Sequence, residues 1–293
     1  MNHQPDTSAV SPLTAQAIRV RARSRLRPGR GRRPGRGALS FILAYGVPLL
    51  VLLAWYLAAP HQPEYLLPPP ADVLRDVKEF LVGDLAVHTL TSLIRITVAM
   101  ALAMVAGAAL ILLTQVAPWT DALIGGRFLP LLNAVPGVGW AILGLIWLGV
   151  GDSAVVFVVT LILLPFAMVT LREGLKAIDP DLREMGRSFT RSRLAVLCRI
   201  ELPLLLPYIL AATRLSFSVG WKVAIIAEFF GAEMGLGLVM NQARQNFQTS
   251  MVFASIITVV VIVFVVESLI LDPLGNWVAR RSGASVSTSR TQP

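Results

Sequence analysis

The feature that most constrains this 293-residue chain is a series of apolar runs, each close to the roughly 20 residues that an α-helix needs to cross a bilayer. Charged residues make up 15% of the chain, against about 25% in soluble domains, and the mean hydropathy is +0.68. We therefore predict an all-α polytopic membrane protein with six transmembrane helices. The runs cover residues 39–60, 89–114, 129–148, 154–171, 204–230 and 252–271.

Lysine and arginine alternate between the two sides of these runs. Nine lie between Arg19 and Arg36, before the first run, and seven lie in residues 172–203, after the fourth. By the positive-inside rule, both termini and residues 172–203 are cytoplasmic in a multi-pass protein of the bacterial plasma (inner) membrane. The net charge of +9 thus reflects topology, so membrane lipid is an expected partner and nucleic acid is not.

The runs divide the chain into five parts. Residues 1–38 are rich in Arg, Pro, Gly and Ser, which predicts a disordered basic cytoplasmic tail. Residues 39–60 form the first transmembrane helix, which we interpret as retained because its apolar core is longer than that of a signal peptide. Residues 61–88 are extracytoplasmic and include an amphipathic stretch over 71–81. Residues 89–280 carry five transmembrane helices, and 281–293 form a cytoplasmic tail.

The sequence offers no site for catalysis. Its single cysteine, Cys198, excludes an internal disulfide, and the histidines at 3, 61 and 88 make no metal-ligand pattern. We find neither a nucleophile with its base nor a Gly-x4-Gly-Lys-Ser/Thr phosphate loop. We therefore expect no enzymatic activity, no metal and no cofactor in this chain, and any energy from ATP must come from another subunit.

The segment 179–203 carries helix signals although it lies between two runs. Asp179 can cap a helix that begins at Pro180 and runs toward Ser188. Thr190 can cap a second helix, which Leu202-Pro203 would stop. Two short helices are therefore predicted across the membrane face. From composition alone they are either an interfacial amphipathic pair on anionic lipid or a docking segment.

The spacing within this segment is distinctive. Glu184-Met185-Gly186 is followed after three residues by Thr190 and after nine more by Ile200-Glu201-Leu202-Pro203. This resembles the EAA loop of ABC importer permeases, in which Glu-Ala-Ala, Gly and Ile-x-Leu-Pro have these spacings. Met185, Gly186 and Thr190 depart from the Ala, Ala and Gly of that pattern.

Residues outside the loop narrow the resemblance to the sulfonate, taurine and nitrate permease family, over roughly residues 65–280. The further matches are Leu67 to Leu74, His88, Ser92, Leu93, Arg95, Trp221, Ala227-Glu228 and Gly235-Leu236-Gly237.

The resemblance implies a type I ABC importer-like fold and a role as the transmembrane permease subunit. The expected partners are cytoplasmic ABC ATPase subunits, an extracytoplasmic substrate-binding protein and a second copy of the permease in a homodimer. The transported molecule would be a small anion such as a sulfonate, taurine or nitrate. The loop would couple the ATPase to the spans through Asp179, Glu184, Gly186, Thr190, Ile200, Leu202 and Pro203.

Charged residues within the runs are expensive in lipid and therefore need an explanation. Arg95 is interpreted as snorkelling or paired with a neighbouring helix. Arg214 and Lys222 are eight residues apart and share a helix face, either lining an anion pathway or, for Lys222, pairing with a carboxylate on a facing helix. Glu228, nearer the end of the same run, is a further candidate for the pathway.

The third run contains Asn133, Pro136 and several glycines, which predict an irregular helix. A broken helix with Asn133 and Pro136 lining the pathway and a plain packing kink are both consistent with these residues.

Two other classes of protein remain as alternatives. An ion-coupled secondary transporter or channel would need no ATPase and would place a relay of ionisable residues through its spans. An integral-membrane enzyme would need a cluster of titratable groups at one depth.

Overall fold

The computed structural model describes residues 36–190 and 192–281, and the regular elements of these residues are helices. The helices are α1 (Arg36–Ala58), α2 (Pro70–Val82), α3 (Ala86–Val116), α4 (Thr120–Ala134), α5 (Gly137–Leu148), α6 (Asp152–Ala177), α7 (Pro180–Phe189), α8 (Arg193–Val196), α9 (Leu202–Gly231), α10 (Leu236–Gln245), α11 (Thr249–Val266) and α12 (Asp272–Arg281). π-helical turns lie within α4, between α8 and α9, and between α11 and α12.

Within the described residues, four helical stretches are long and apolar enough to cross a membrane. They are α3, α6, the stretch that contains α9, and the stretch from α11 into α12. Helices α4 and α5 form a fifth span if they are counted as one broken span. The predicted span at 39–60 falls on α1 and the 3-10 turn after it, where the apolar helical stretch Gly46–His61 is shorter than the others. The all-helical membrane class is confirmed, and the count of six spans stays a prediction.

The chain forms two units, and the first contains residues 36–52 of α1. All later described residues belong to the second. The predicted tails at 1–38 and 281–293 lie almost entirely outside the described residues. The predicted amphipathic stretch at 71–81 is observed as α2, which buries Val73, Val77 and Phe80 in the core of the second unit and contacts α11.

The core of the second unit is built where α6 packs between α3 and α9. Small residues allow these helices to approach closely. A Cβ atom on Gly107 of α3 would lie 3.0 Å from the Ala167 side chain of α6, and one on Gly220 of α9 would lie 3.3 Å from Ile96. These contacts position the polar side chains described below at one end of the three helices.

The predicted irregularity of the third run is a sharp break. Helices α4 and α5 meet at an angle of 88°. Val135 has an extended backbone because the ring of Pro136 disfavours the helical conformation of the residue before it. The side chain of Asn133 donates to the Leu129 carbonyl, so it binds within its own helix. The break agrees with both interpretations offered from the sequence.

Candidate functional site

The segment after α6 begins with the predicted cap. The Asp179 carboxylate accepts a hydrogen bond from the Asp181 backbone amide at 3.0 Å, and Pro180 takes the first position of α7. Proline fits there because the first amides of a helix have no intrahelical acceptor. The first of the two predicted short helices is therefore confirmed, and it ends at Phe189.

The predicted second short helix is wrong at both ends. The Ser192 hydroxyl, rather than Thr190, accepts from the Ala195 amide, at 3.3 Å, while Thr190 accepts from the Ser192 amide. Leu202-Pro203 does not stop the helix, which continues from Arg193 through a π turn into α9. In that turn the Leu202 amide bonds to the Leu197 carbonyl. The change of hydrogen-bond register places Pro203 in the first turn of α9, where its missing N–H is tolerated.

Helix α7 packs against this π turn through a glycine. A Cβ atom on Gly186 would lie 2.4 Å from Ile200 Cδ1 and 3.4 Å from Val196 Cγ1. Two of the predicted coupling residues, fourteen positions apart in sequence, are thus in close contact. Glu184 is exposed on the same helix. A displacement of α7 would therefore press on the turn that leads directly into a membrane-spanning helix.

One face of α7 carries apolar side chains that the chain itself does not cover. Leu182, Met185 and Phe189 recur at intervals of three and four residues and are 37%, 50% and 84% exposed. Glu184 is exposed on another face of the same helix, so α7 carries both apolar and acidic exposed side chains.

A second polar constellation lies at the opposite end of the spanning helices. Arg95 of α3 is 4% exposed and Glu228 of α9 is fully buried, and Arg95 Nη1 donates to Glu228 Oε1 at 3.0 Å. The same nitrogen donates to the Met234 carbonyl at 2.6 Å. The Nε atom donates at 2.9 Å to Asp152, the first residue of α6, whose side chain is 74% exposed. The fork of Arg95 therefore ties three segments together.

Glu228 accepts hydrogen bonds from several donors in its buried position. Besides Arg95, it accepts from the Ser92 hydroxyl at 2.8 Å and from the Gly237 amide at 2.9 Å. Ser92 in turn accepts from the Leu236 amide at 2.9 Å, so the start of α10 is bound to α3 and α9. Buried ionised groups are stable only with this kind of complete hydrogen bonding.

The glycines of this constellation are required because a side chain at either position would be strained or would clash. Gly235 has a backbone φ of 117°, at which a residue with a side chain would be strained. Its amide donates to His88 Nδ1 at 3.1 Å. A Cβ atom on Gly237 would lie 2.5 Å from the Ile225 carbonyl oxygen. The backbone must therefore come this close for the Gly237 amide to reach Glu228.

Family-matching residues that are far apart in sequence thus form one buried network: His88, Ser92, Arg95, Glu228, Gly235 and Gly237. Snorkelling of Arg95 is excluded, and pairing with a neighbouring helix is confirmed. The Glu228 carboxylate is enclosed by the network and has no exposed surface. The role of Asp152 was not identified from the sequence. The signal available there was its position directly after a short segment that contains Gly149 and Gly151.

The remaining pathway candidates lie elsewhere. Arg214 pairs with Asp272 at the start of α12, and both side chains are about half exposed. Lys222 lines a groove between α9 and α11. Asn133 and Pro136 are exposed at the break between α4 and α5. The structure does not bring these residues together with Glu228. Among the described residues, no cluster of His, Cys, Asp or Glu side chains could hold a metal ion.

Several apolar spans, a buried charge network at one end and a packed helix pair at the other define a polytopic α-helical membrane protein. The family described as the binding-protein-dependent transport system inner membrane component matches residues 100–282, more than half of the chain. The chain belongs to this family, and the resemblance identified from the sequence is confirmed.

The curated relatives include transport permeases. The taurine transport system permease protein TauC of Escherichia coli K12 is 29% identical over 77% of this chain and 84% of its own length. The putative aliphatic sulfonates transport permease protein SsuC of Bacillus subtilis 168 is 24% identical over 82% of this chain and 87% of its own.

The fold is also found in a solved structure. An inward-facing conformation of the MetNI methionine ABC transporter contains a chain that matches with a TM-score of 0.59 and 17% identity. The match covers 66% of this chain and 95% of that one. At this identity the likeness shows the fold alone.

Proposed function

We propose that this chain is the permease subunit of an ABC importer of the sulfonate and taurine type and that residues 179–203 couple it to a cytoplasmic ATPase. The observation that carries the proposal is the contact of Gly186 with Ile200, which joins α7 to the π turn at the base of α9. The coupling residues are Asp179, Glu184, Gly186, Thr190, Ile200, Leu202 and Pro203.

The surface of α7 supports this role. Its uncovered side chains Leu182, Met185 and Phe189 would lie in lipid headgroups or water unless a protein covers them. Exposed apolar groups on a short helix suit docking into a groove of another subunit. Since α8 continues into α9 without a break, movement of α7 by that subunit would reach the spans.

The complete transporter would contain two permease copies, ATPase subunits and an extracytoplasmic binding protein. Closure of the ATPase pair on ATP would turn the pathway outward to receive the ligand, and hydrolysis would reset it. In this arrangement both termini and residues 179–203 are cytoplasmic, as the distribution of Lys and Arg predicts. ATP hydrolysis belongs to the partner, and this chain forms the pathway.

The substrate we propose is a small organic or inorganic anion. The relatives named for taurine and aliphatic sulfonates support it. Lys222 and Arg214, together with Asn133 and Pro136 at the 88° break, are the residues proposed to face the pathway.

The test is purification with partners followed by an uptake assay. The chain, isolated gently from its native membrane, is expected to retain an ATPase subunit, and uptake of a sulfonate in reconstituted vesicles should stop when ATP is omitted. Uptake that persists without ATP in an ion gradient, from a preparation without ATPase, would establish a secondary transporter instead.

A further inference from the structure

A groove of about 510 Å³ runs between α9 and α11 of the second unit. This volume is typical of sites that hold an organic molecule, and an inorganic anion would leave most of it empty. The lining is largely apolar and includes Ile225, Ile256, Val259, Val260, Val263 and Phe264. An occupant that fills the groove therefore needs an apolar body.

One face of α9 brings polar groups into this groove. Ser218, Trp221 and Lys222 lie at spacings of three and four residues, so they share that face. The Trp221 side chain is 1% exposed, and its indole Nε1 has no hydrogen-bond partner among the residues that the structure describes. Buried indole N–H groups normally have an acceptor, so this donor beside the Lys222 ammonium suits an oxyanion.

A carboxylate lines the same groove. Glu267 begins the π turn after α11, and neither it nor Lys222 forms an ion pair with any described residue. The ion pair of Arg214 with Asp272 aligns α9 with the start of α12. Counted from this pair toward the other end of the helices, Lys222 is eight residues along and Glu267 five, so at 1.5 Å per residue their depths differ by about 5 Å.

The two charges determine what kind of ligand can lie between them. An unpaired ion is costly against lipid tails, so this part of the groove must meet water or a polar ligand. A plain anion would be attracted by Lys222 and repelled by Glu267, and a plain cation would meet the reverse. A ligand with one charge of each sign satisfies both residues, while the apolar lining covers the rest of it.

We propose that this groove binds an organic zwitterion with an apolar body. Lys222 and the Trp221 indole N–H hold its sulfonate or carboxylate, and Glu267 holds its ammonium group. The inference rests on the proposed pathway along α9 and narrows the substrate from a small anion to this class. Inorganic anions lack the ammonium group, and taurine lacks the apolar body.

Matched probes test the charges and the body separately. The purified chain, with any subunits that accompany it in maltoside detergent, is titrated without ATP or a binding protein. The probe is para-(aminomethyl)benzenesulfonate, a zwitterion at neutral pH, and its matched analogue para-(hydroxymethyl)benzenesulfonate lacks only the cation. Taurine is the third ligand. The aminomethyl probe should bind about tenfold more tightly than either of the others, through the additional charge pair in one case and the buried ring in the other.

Variants assign each part of the ligand to a residue. Glu267→Gln should lower the affinity for the aminomethyl probe to that for the hydroxymethyl analogue and leave the analogue unchanged. Trp221→Phe and Lys222→Met should weaken the binding of both. Glu173→Gln removes a carboxylate at an exposed site of α6 and is the matched control, which should change neither.

Four results would overturn the proposal. Two are equal binding of the aminomethyl and hydroxymethyl probes to the unaltered chain and a preference between them that survives Glu267→Gln. The third is tighter binding of the hydroxymethyl analogue to the Glu267→Gln variant, since this would show that Glu267 neutralises Lys222 in the empty groove. The fourth is taurine binding as tightly as the aminomethyl probe, which would remove the need for an apolar body.

A phospholipid headgroup could offer the same chemistry, because phosphatidylethanolamine carries both an ammonium group and an oxyanion. The titration is therefore repeated with this lipid in the micelles. Probe affinity should stay the same, and displacement of the probe by the lipid would assign the groove to a headgroup and overturn the proposal. Because binding is measured without ATP, failure to recover an ATPase counts against the proposed function and leaves this result readable.

Discussion

Arg95 Nη1 lies 3.0 Å from Glu228 Oε1, and both side chains are shielded from solvent although they come from helices 133 positions apart in sequence. The second ion pair of the guanidinium, with Asp152, is different in kind because the Asp152 side chain is 74% exposed. One arginine therefore makes an interior ion pair and a peripheral one.

The interior pair should dominate stability. Arg95→Met leaves the Glu228 carboxylate buried with an unpaired charge, and we expect a loss of about 3–5 kcal/mol, seen as a lower melting temperature in detergent. Asp152→Asn is the matched control and should cost no more than about 1 kcal/mol, because exposed ion pairs contribute little. Arg95→Met combined with Glu228→Gln should recover part of the loss. Equal melting temperatures for Arg95→Met and Asp152→Asn would contradict this account.

The close approach of α10 to α9 makes a second prediction. Gly237→Ala would place a methyl group 2.5 Å from the Ile225 carbonyl oxygen and separate the Gly237 amide from Glu228, at a cost of about 1–3 kcal/mol. Gly126→Ala, where a Cβ atom meets nothing within 4 Å, should be neutral or slightly stabilising. Thermal unfolding of both variants under one condition checks the difference, and equal effects would show that the approach is not tight.

Coupling should depend on the surface of α7 and on its contact with the π turn. Glu184→Lys and Gly186→Arg are expected to abolish ATP-driven uptake while membrane insertion stays normal. Two variants serve as controls. Gly186→Ala should retain most activity because Ile200 Cδ1, the end of a flexible side chain, can turn aside. Glu173→Lys makes the same charge change at an exposed site of α6 and should be active.

The assay is uptake together with ATP hydrolysis by the complete transporter. Normal transport by a well-expressed Gly186→Arg variant would place the coupling surface elsewhere.

The N-terminal tail should be dispensable for transport. Residues 1–30 have no pattern that could form a core, so their deletion is expected to leave uptake within about twofold of the full chain. The measurement is uptake normalised to the amount of protein in the membrane. A correctly inserted but inactive deletion variant would show that the tail has a function in transport.

Particular residues show how far local reasoning reaches. Asp179 and Pro180 identified the start of α7, and the 88° break at Pro136 follows from the same residue that predicted an irregular helix. These features depend on backbone chemistry within a few residues, which the sequence displays directly. Thr190 and Pro203 misled for the opposite reason. The Ser192 hydroxyl, two residues after Thr190, caps the helix instead. The π turn changes the hydrogen-bond register so that the missing N–H of Pro203 is tolerated, and the helix therefore does not end at the proline.

The sequence by itself determined the membrane class, the helical spans and the family resemblance, because the length of an apolar run and the spacing of a motif need no knowledge of packing. Only the tertiary structure decided what the charges within the spans do. Arg95 and Glu228 are joined by the packing of α3, α6 and α9, while Lys222 lies in a groove between α9 and α11. The electrostatic environment of a charge depends on which helices become its neighbours, and that is settled across the whole bundle.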